Sequence, residues 1–62
     1  MFLKLTEKET NKTRYFNMDF VFSFEVSGFD NTELSDEDGG TIIVLESPSQ
    51  IHDMIRLYPA KP

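Results

Sequence analysis

The feature that most constrains this chain is its short length combined with the absence of cysteine. Its 62 residues contain no Cys and a single His, so disulfide bonds and the usual zinc sites are excluded. A domain of this size buries only roughly 60% of the surface of its unfolded chain, and small domains often need a disulfide, a metal or a partner subunit. Close packing and association with a second copy remain as the ways in which this chain can be stabilised. We therefore expect one domain over residues 1–62 that forms a homo-oligomer and holds no cofactor.

Charge is distributed unevenly along the chain. The formal net charge is −5, with a balance of +2 over residues 1–14 and of −7 over residues 15–62. Five of the nine carboxylates in the second part lie between Asp30 and Asp38. Contacts with phosphate groups need concentrated Lys and Arg. We therefore expect a protein partner and no direct binding of nucleic acid.

The composition is typical of a folded chain outside the membrane. Apolar residues make up 39% of the sequence and aromatic residues 13%, which is more than disordered chains carry. No stretch approaches the roughly 20 apolar residues of a membrane span. Lys4 interrupts the apolar start of the chain, which is too short for the apolar region of a signal peptide. These observations predict a cytoplasmic protein without membrane insertion.

The sequence predicts strands at four places, two of them from alternation of apolar and polar side chains and the last from a run of four aliphatic residues, Ile42–Leu45. The clearest is Phe20–Ser27, in which Phe20, Phe22, Phe24 and Val26 share one face. The other three are residues 1–6, Arg14–Phe16 and Thr41–Glu46. Gly28 is expected to end the third strand, and residues 29–40 are predicted to form a long acidic loop that leads to the fourth.

A helix is predicted after the last strand. Ser47 is placed as its N-cap, Pro48 as its first residue and Gln50 as the partner of Ser47 in a capping box. Pro59 is expected to end the helix, and the tail 59–62 is expected to be frayed. The apolar stripe of this helix has the spacing i, i+3, i+4 and i+7 and consists of Ile51, Met54, Ile55 and Tyr58.

These elements predict an α+β fold: a small antiparallel sheet of three to four strands followed by one C-terminal amphipathic helix. The helix is expected to cover the face that carries Phe20, Phe22 and Phe24. The opposite face would then be bare, and a bare apolar face marks an interaction site. Its residues would be Phe2, Val21 and either the pair Ile42 and Val44 or the pair Ile43 and Leu45. We take Phe2, Val21, Ile42 and Val44 as the candidate partner-binding sheet face.

No catalytic arrangement is visible in the sequence. His52 and Asp53 are adjacent on the predicted helix, where neighbouring side chains do not face each other. No Cys is present, and no serine lies in the setting of a known nucleophile motif. We therefore expect a protein that is not an enzyme.

The acidic segment has three possible roles. It can be a solvated loop that keeps the chain soluble. It can bind calcium weakly, although Leu34 and Leu45 stand where a calcium loop has its first and last ligands. It can also imitate a phosphate backbone and occupy the basic groove of an enzyme that handles DNA or RNA. The residues that would carry this third role are Asp30, Glu33, Asp36, Glu37 and Asp38.

Short motifs along nearly the whole chain resemble small bacterial and phage proteins of the FlbD/SwrD flagellar type. Those proteins have I-x-L-T near the start, then N-x-D-x-I, a strand, G-x-x-x-x-V, K-E-S and an amphipathic helix. The corresponding segments here are Leu3–Thr6, Asn17–Val21, Gly40–Val44 and Leu45–Ser47, followed by the helix with Ile51 and Ile55. Two features depart from the pattern: the acidic segment before Gly39 is longer, and Leu45 replaces the lysine.

The resemblance implies an accessory protein of a bacterial cell or of a phage-infected host, which in that family is connected with flagellar motility or swarming. Combined with the composition, it predicts a small non-enzymatic protein that acts by protein–protein interaction and associates with itself through an apolar sheet face. The alternative is an acidic nucleic-acid mimic that inhibits a host enzyme.

Overall fold

Five short strands, one 3-10 turn and one helix form residues 1–57, the part of the chain that the computed structural model describes. The strands are β1 (Phe2–Thr6), β2 (Thr13–Asn17), β3 (Ser23–Ser27), β4 (Asn31–Ser35) and β5 (Thr41–Val44). The 3-10 turn Met18–Phe20 connects β2 to β3, and the helix α1 (Pro48–Leu57) follows β5. The predicted α+β class, with antiparallel strands and a C-terminal helix, is confirmed. The predictions for Tyr58 and for the tail 59–62 lie outside the described residues.

The strands form two antiparallel sheets that meet along β1 and β5. One sheet pairs β1 with β2, and the other has the order β3–β4–β5. The two sheets are joined where Glu7 lies opposite Val44. Two backbone hydrogen bonds close this junction: Leu45 N–H donates to Thr6 O over 2.9 Å, and Lys8 N–H donates to Ile43 O over 2.9 Å.

The prediction of an acidic loop over residues 29–40 is wrong, because its middle is the strand β4. Thr32 and Leu34 alternate with polar residues along β4 and are buried, with exposed fractions of 0% and 3%. Leu34 lies between Phe24 of β3 and Ile42 of β5 in the strand register. The chain reverses on both sides of β4 through short turns, and Gly28 and Asp30 in the first turn have positive φ angles of 59° and 69°.

The predicted strand Phe20–Ser27 is also shorter in the structure. Asn17 Oδ1 accepts a hydrogen bond from Asp19 N–H over 3.0 Å, and Val21 N–H donates to Met18 O over 3.2 Å. These bonds close the 3-10 turn, so the extended alternation begins only after Phe22. Phe20 and Phe22 are exposed rather than covered by the helix, and the predicted packing of the helix on the whole phenylalanine face is wrong.

The core is small and lies between the sheets and α1. Its buried apolar side chains are Leu3, Leu5, Leu34, Val44 and Ile51. The helix places Ile51 there because its start is well defined: Ser47 N–H donates to Gln50 Oε1 over 2.8 Å, and Gln50 N–H donates to Ser47 Oγ over 3.1 Å. The predicted capping box is therefore confirmed.

Glu46 connects three strands just before the helix. Its Oε1 accepts a hydrogen bond from Thr6 N–H over 2.9 Å, and its Oε2 accepts one from Thr6 Oγ1 over 3.0 Å. The backbone oxygen of Glu46 accepts a hydrogen bond from the buried hydroxyl of Thr32 over 2.7 Å. Glu46 thus holds the end of β1 and the start of β4 against the segment that follows β5.

Candidate functional site

A groove with an apolar base opens between β2 and the 3-10 turn on one side and the β4–β5 hairpin on the other. Its volume is about 380 Å³, and it is lined by residues of β2, by Phe20 and Val21 at the end of the 3-10 turn, by the end of β4 and by the start of β5. Phe16, Val21 and Ile42 are half-buried in it, and Leu34 lies beneath them in the core. Tyr15 and Phe20 stand at its margins and are 69% and 72% exposed.

The apolar surface continues beyond the groove through Phe22. This side chain is 75% exposed and lines two adjoining cavities, one of about 330 Å³ that reaches Phe24 and Ile55 and one of about 600 Å³ beside Glu37. Large exposed apolar patches on small proteins mark interaction sites. We call this area the aromatic surface and define it as Tyr15, Phe16, Phe20, Val21, Phe22 and Ile42.

The exposure of Phe20 and Phe22 follows from the local backbone. The 3-10 turn rotates Phe20 out of the alternation that would have turned it toward the core. Phe22 N–H donates to Ser35 O over 2.7 Å, so Phe22 lies at the beginning of the β3–β4 pairing, where α1 does not cover it. Asn17, whose side chain caps the turn, is the local sequence signal for this break.

The predicted sheet face does not exist as one surface. Val44 is fully buried in the core, so its assignment as a partner-binding residue is wrong. Phe2 is 56% exposed, lies opposite Asn17 in the β1–β2 register and is not part of the groove lining. Val21 and Ile42 do come together, since both line the groove. Half of the predicted set therefore lies on the aromatic surface.

The five acidic candidates are divided among three elements. Asp30 lies in the β3–β4 turn, Glu33 lies within β4, and Asp36, Glu37 and Asp38 form the β4–β5 turn. The carboxylate of Asp36 is used within that turn, because its Oδ1 accepts hydrogen bonds from Asp38 N–H over 3.0 Å and from Gly40 N–H over 2.8 Å. Asp36 thus stabilises the chain reversal. Glu37 and Asp38 remain exposed beside the aromatic surface.

A cation lies over one aromatic ring of the groove. The guanidinium carbon of Arg14 is 5.1 Å from the ring centre of Phe16, a distance at which a cation–π attraction operates. Arg14 also donates a hydrogen bond to Glu7 Oε1 over 2.9 Å. This bond lowers the pKa of the Glu7 carboxyl below its ordinary value, against the opposing effect of partial burial; a hydrogen bond from Thr10 and the charge of Arg14 lower it further. Arg14 therefore has two partners within its own hairpin.

The titratable groups of α1 lie in solvent. His52 Nδ1 is 3.9 Å from Asp53 Oδ1, and the two side chains are 72% and 60% exposed. Within residues 1–57, no group of three or more His, Cys, Asp or Glu side chains is arranged to hold a metal ion. No helix in this part of the chain is long and apolar enough to cross a membrane.

Comparison with known protein families, with curated proteins and with solved structures finds no match to this chain. The resemblance to FlbD/SwrD-type proteins therefore stays a prediction. The structure explains two of the motifs on which it depends: Asn17 caps the 3-10 turn, and Glu46 with Ser47 joins β1 to the start of α1.

Proposed function

We propose that this protein acts by binding protein rather than by catalysis, and that it associates with itself through the aromatic surface. The observation that carries this proposal is the exposure of Phe20 and Phe22, 72% and 75%, beside a groove whose base is apolar. Two aromatic side chains held in water by the backbone gain free energy when a partner covers them, about 1.5–3 kcal/mol each. Small bacterial or phage accessory proteins of the type described above would act in this way.

Unpaired strand edges support the same proposal. Among residues 1–57, β2 pairs with β1 alone and β3 pairs with β4 alone, so each of these two strands has one edge without a strand partner. Exposed edges of this kind are positions where proteins associate. The core is also small, with five buried apolar side chains in the described residues, and a second copy would extend it.

The experiment is sedimentation velocity from micromolar to millimolar protein concentration on the wild type and on Phe20→Ser/Phe22→Ser. We expect the wild type to self-associate and the double variant to dissociate, with a dissociation constant higher by about 100-fold or more. Phe29→Ser is the matched control, since Phe29 is 96% exposed but lies in the β3–β4 turn at the far end of that hairpin. A wild type that is monomeric throughout, or a loss of association in the control alone, would contradict the proposal.

The alternative, an acidic nucleic-acid mimic, has less support. A mimic needs its carboxylates in one accessible row, whereas Glu33 belongs to a paired strand and Asp36 is bonded within its turn. Competition with duplex DNA for a basic DNA-binding enzyme would test it. Inhibition lost in Glu37→Gln/Asp38→Gln would restore the mimic as the leading function.

A further inference from the structure

The aromatic surface lies between two turns of the protein. Thr41 and Ile42 line both the groove and a neighbouring cavity of about 570 Å³ that is formed with Glu7, Lys8 and Glu9 of the β1–β2 turn. On the other side, Asp36 lines both the groove and the cavity of about 600 Å³ that contains Glu37 and Asp38. A continuous surface therefore runs from the β1–β2 turn across the groove to the β4–β5 turn.

The two ends of this surface carry opposite charges. The β1–β2 hairpin holds four of the five Lys and Arg side chains in residues 1–57, namely Lys4, Lys8, Lys12 and Arg14, against the two carboxylates Glu7 and Glu9, so that its charge balance is +2. The other end is acidic through the β4–β5 turn. Lys8, Lys12, Glu37 and Asp38 are exposed, and none of them forms an ion pair within the described residues. Their charges are available to a partner, unlike those of Arg14 and Asp36.

The opposite charges at the two ends of the surface indicate which kind of partner can bind there. A partner of one charge sign would be attracted at one end of the surface and repelled at the other. A second copy turned by a two-fold axis matches both ends, because a two-fold interface brings the same patch of each subunit together in opposite directions. Complementary charges at such an interface also set its register.

We propose that the aromatic surface of one copy covers that of a second copy across a two-fold axis, with Lys8 and Lys12 of each copy facing Glu37 and Asp38 of the other. This inference rests on the proposed self-association and adds its partner surface and its orientation. The apolar side chains at the centre supply the main attraction, and the four charged positions determine which way the two copies face.

The test exchanges the charges at the two ends. Lys8→Glu/Lys12→Glu makes both ends acidic, and Glu37→Lys/Asp38→Lys makes both ends basic. In each variant alone, like charges face each other twice in the dimer, and we expect the dissociation constant to rise by about tenfold or more at low salt. Mixed in equal amounts, the two variants should form a heterodimer with wild-type affinity, because every contact again joins opposite charges.

Controls separate this inference from the proposed function. Arg56→Glu changes the net charge on the exposed face of α1 and should leave association unchanged. Far-UV circular dichroism checks that each variant is folded. If Phe20→Ser/Phe22→Ser dissociates while both charge variants associate like the wild type, the aromatic surface stands and the two-fold charge pairing is wrong. Failure of the mixture to restore association also overturns the pairing, and a monomeric wild type overturns both proposals.

Discussion

Replacing Glu46 by alanine removes the side chain that holds the end of β1 against the segment after β5. Both carboxylate oxygens of Glu46 accept hydrogen bonds from Thr6, one from the backbone N–H over 2.9 Å and one from the hydroxyl over 3.0 Å. The backbone oxygen of Glu46, which accepts from Thr32, is retained in the variant. The substitution therefore isolates the two bonds to Thr6.

The expected loss follows from these two bonds. Hydrogen bonds to a charged group contribute about 1.5–3 kcal/mol each, and the site is only partly buried, so the lower part of the range applies. We expect Glu46→Ala to lower the free energy of unfolding by about 2–3 kcal/mol. That is a large part of the total of about 3–9 kcal/mol expected for a chain of this length. Thr6→Ala removes the hydroxyl bond alone and should cost about 1–1.5 kcal/mol.

The double variant distinguishes a direct interaction from two independent effects. Once Glu46 is absent, the Thr6 hydroxyl has lost its partner, so Thr6→Ala/Glu46→Ala should lose no more than Glu46→Ala alone. The coupling energy would be about 1–1.5 kcal/mol. Glu46→Gln is the conservative control, since its amide can accept from the N–H and donate to the hydroxyl, and it should lose less than about 1 kcal/mol.

Urea unfolding followed by far-UV circular dichroism measures these differences. All variants should be compared at one low protein concentration, because self-association raises the apparent stability. Additive losses in the double variant, or an equal loss in Glu46→Gln and Glu46→Ala, would refute the interaction described here.

Two further predictions concern carboxylates on the strands and turns. Glu33→Thr should raise the free energy of unfolding by about 0.5 kcal/mol, because Glu33 lies directly opposite Glu25 and like charges in that position repel. The gain should be smaller in high salt, because salt screens the repulsion. Urea unfolding at two salt concentrations measures this, and a gain of the same size at both would contradict the prediction. Arg14→Met should raise the pKa of Glu7 toward its ordinary value, which a carbon-13 NMR titration of the carboxyl group measures. Because the pKa of Glu7 is lowered in the folded protein, its contribution to stability is present above the ordinary pKa of glutamate and is lost as the pH falls through the lowered value. An equal pKa of Glu7 in the wild type and in Arg14→Met would contradict this prediction.

Local signals were sufficient where the chain forms contacts with its near neighbours. The start of α1 could be predicted because the capping box of Ser47 and Gln50 is local, and both of its hydrogen bonds are present. The strand β1 could be predicted from alternation, and its Leu3 and Leu5 are buried. The strand β4 was missed because its residues are mostly polar, so that its local sequence pattern does not indicate a strand. Its formation depends on pairing with β3 and β5, which a local pattern does not contain.

The candidate site was predicted in part. Val21 and Ile42 were assigned to an interaction surface and do line the groove, but Val44 is in the core and Phe2 is elsewhere on β1. Alternation assigns a residue to one face of a strand but does not say which face another element covers. The 3-10 turn after β2 changed the outcome, because it took Phe20 out of the expected buried face, and α1 does not cover Phe22 at the beginning of the β3–β4 pairing.

The amino-acid sequence by itself determined the class of this fold, the position of its helix and the opposite charges of its two parts. These properties depend on composition and on interactions a few residues apart, which a linear pattern contains. Only the tertiary structure decided which aromatic side chains stay in water and that the groove lies between the basic β1–β2 hairpin and the acidic β4–β5 turn. Those properties depend on strand pairing between residues far apart in the chain, and on the junction of β1 with β5.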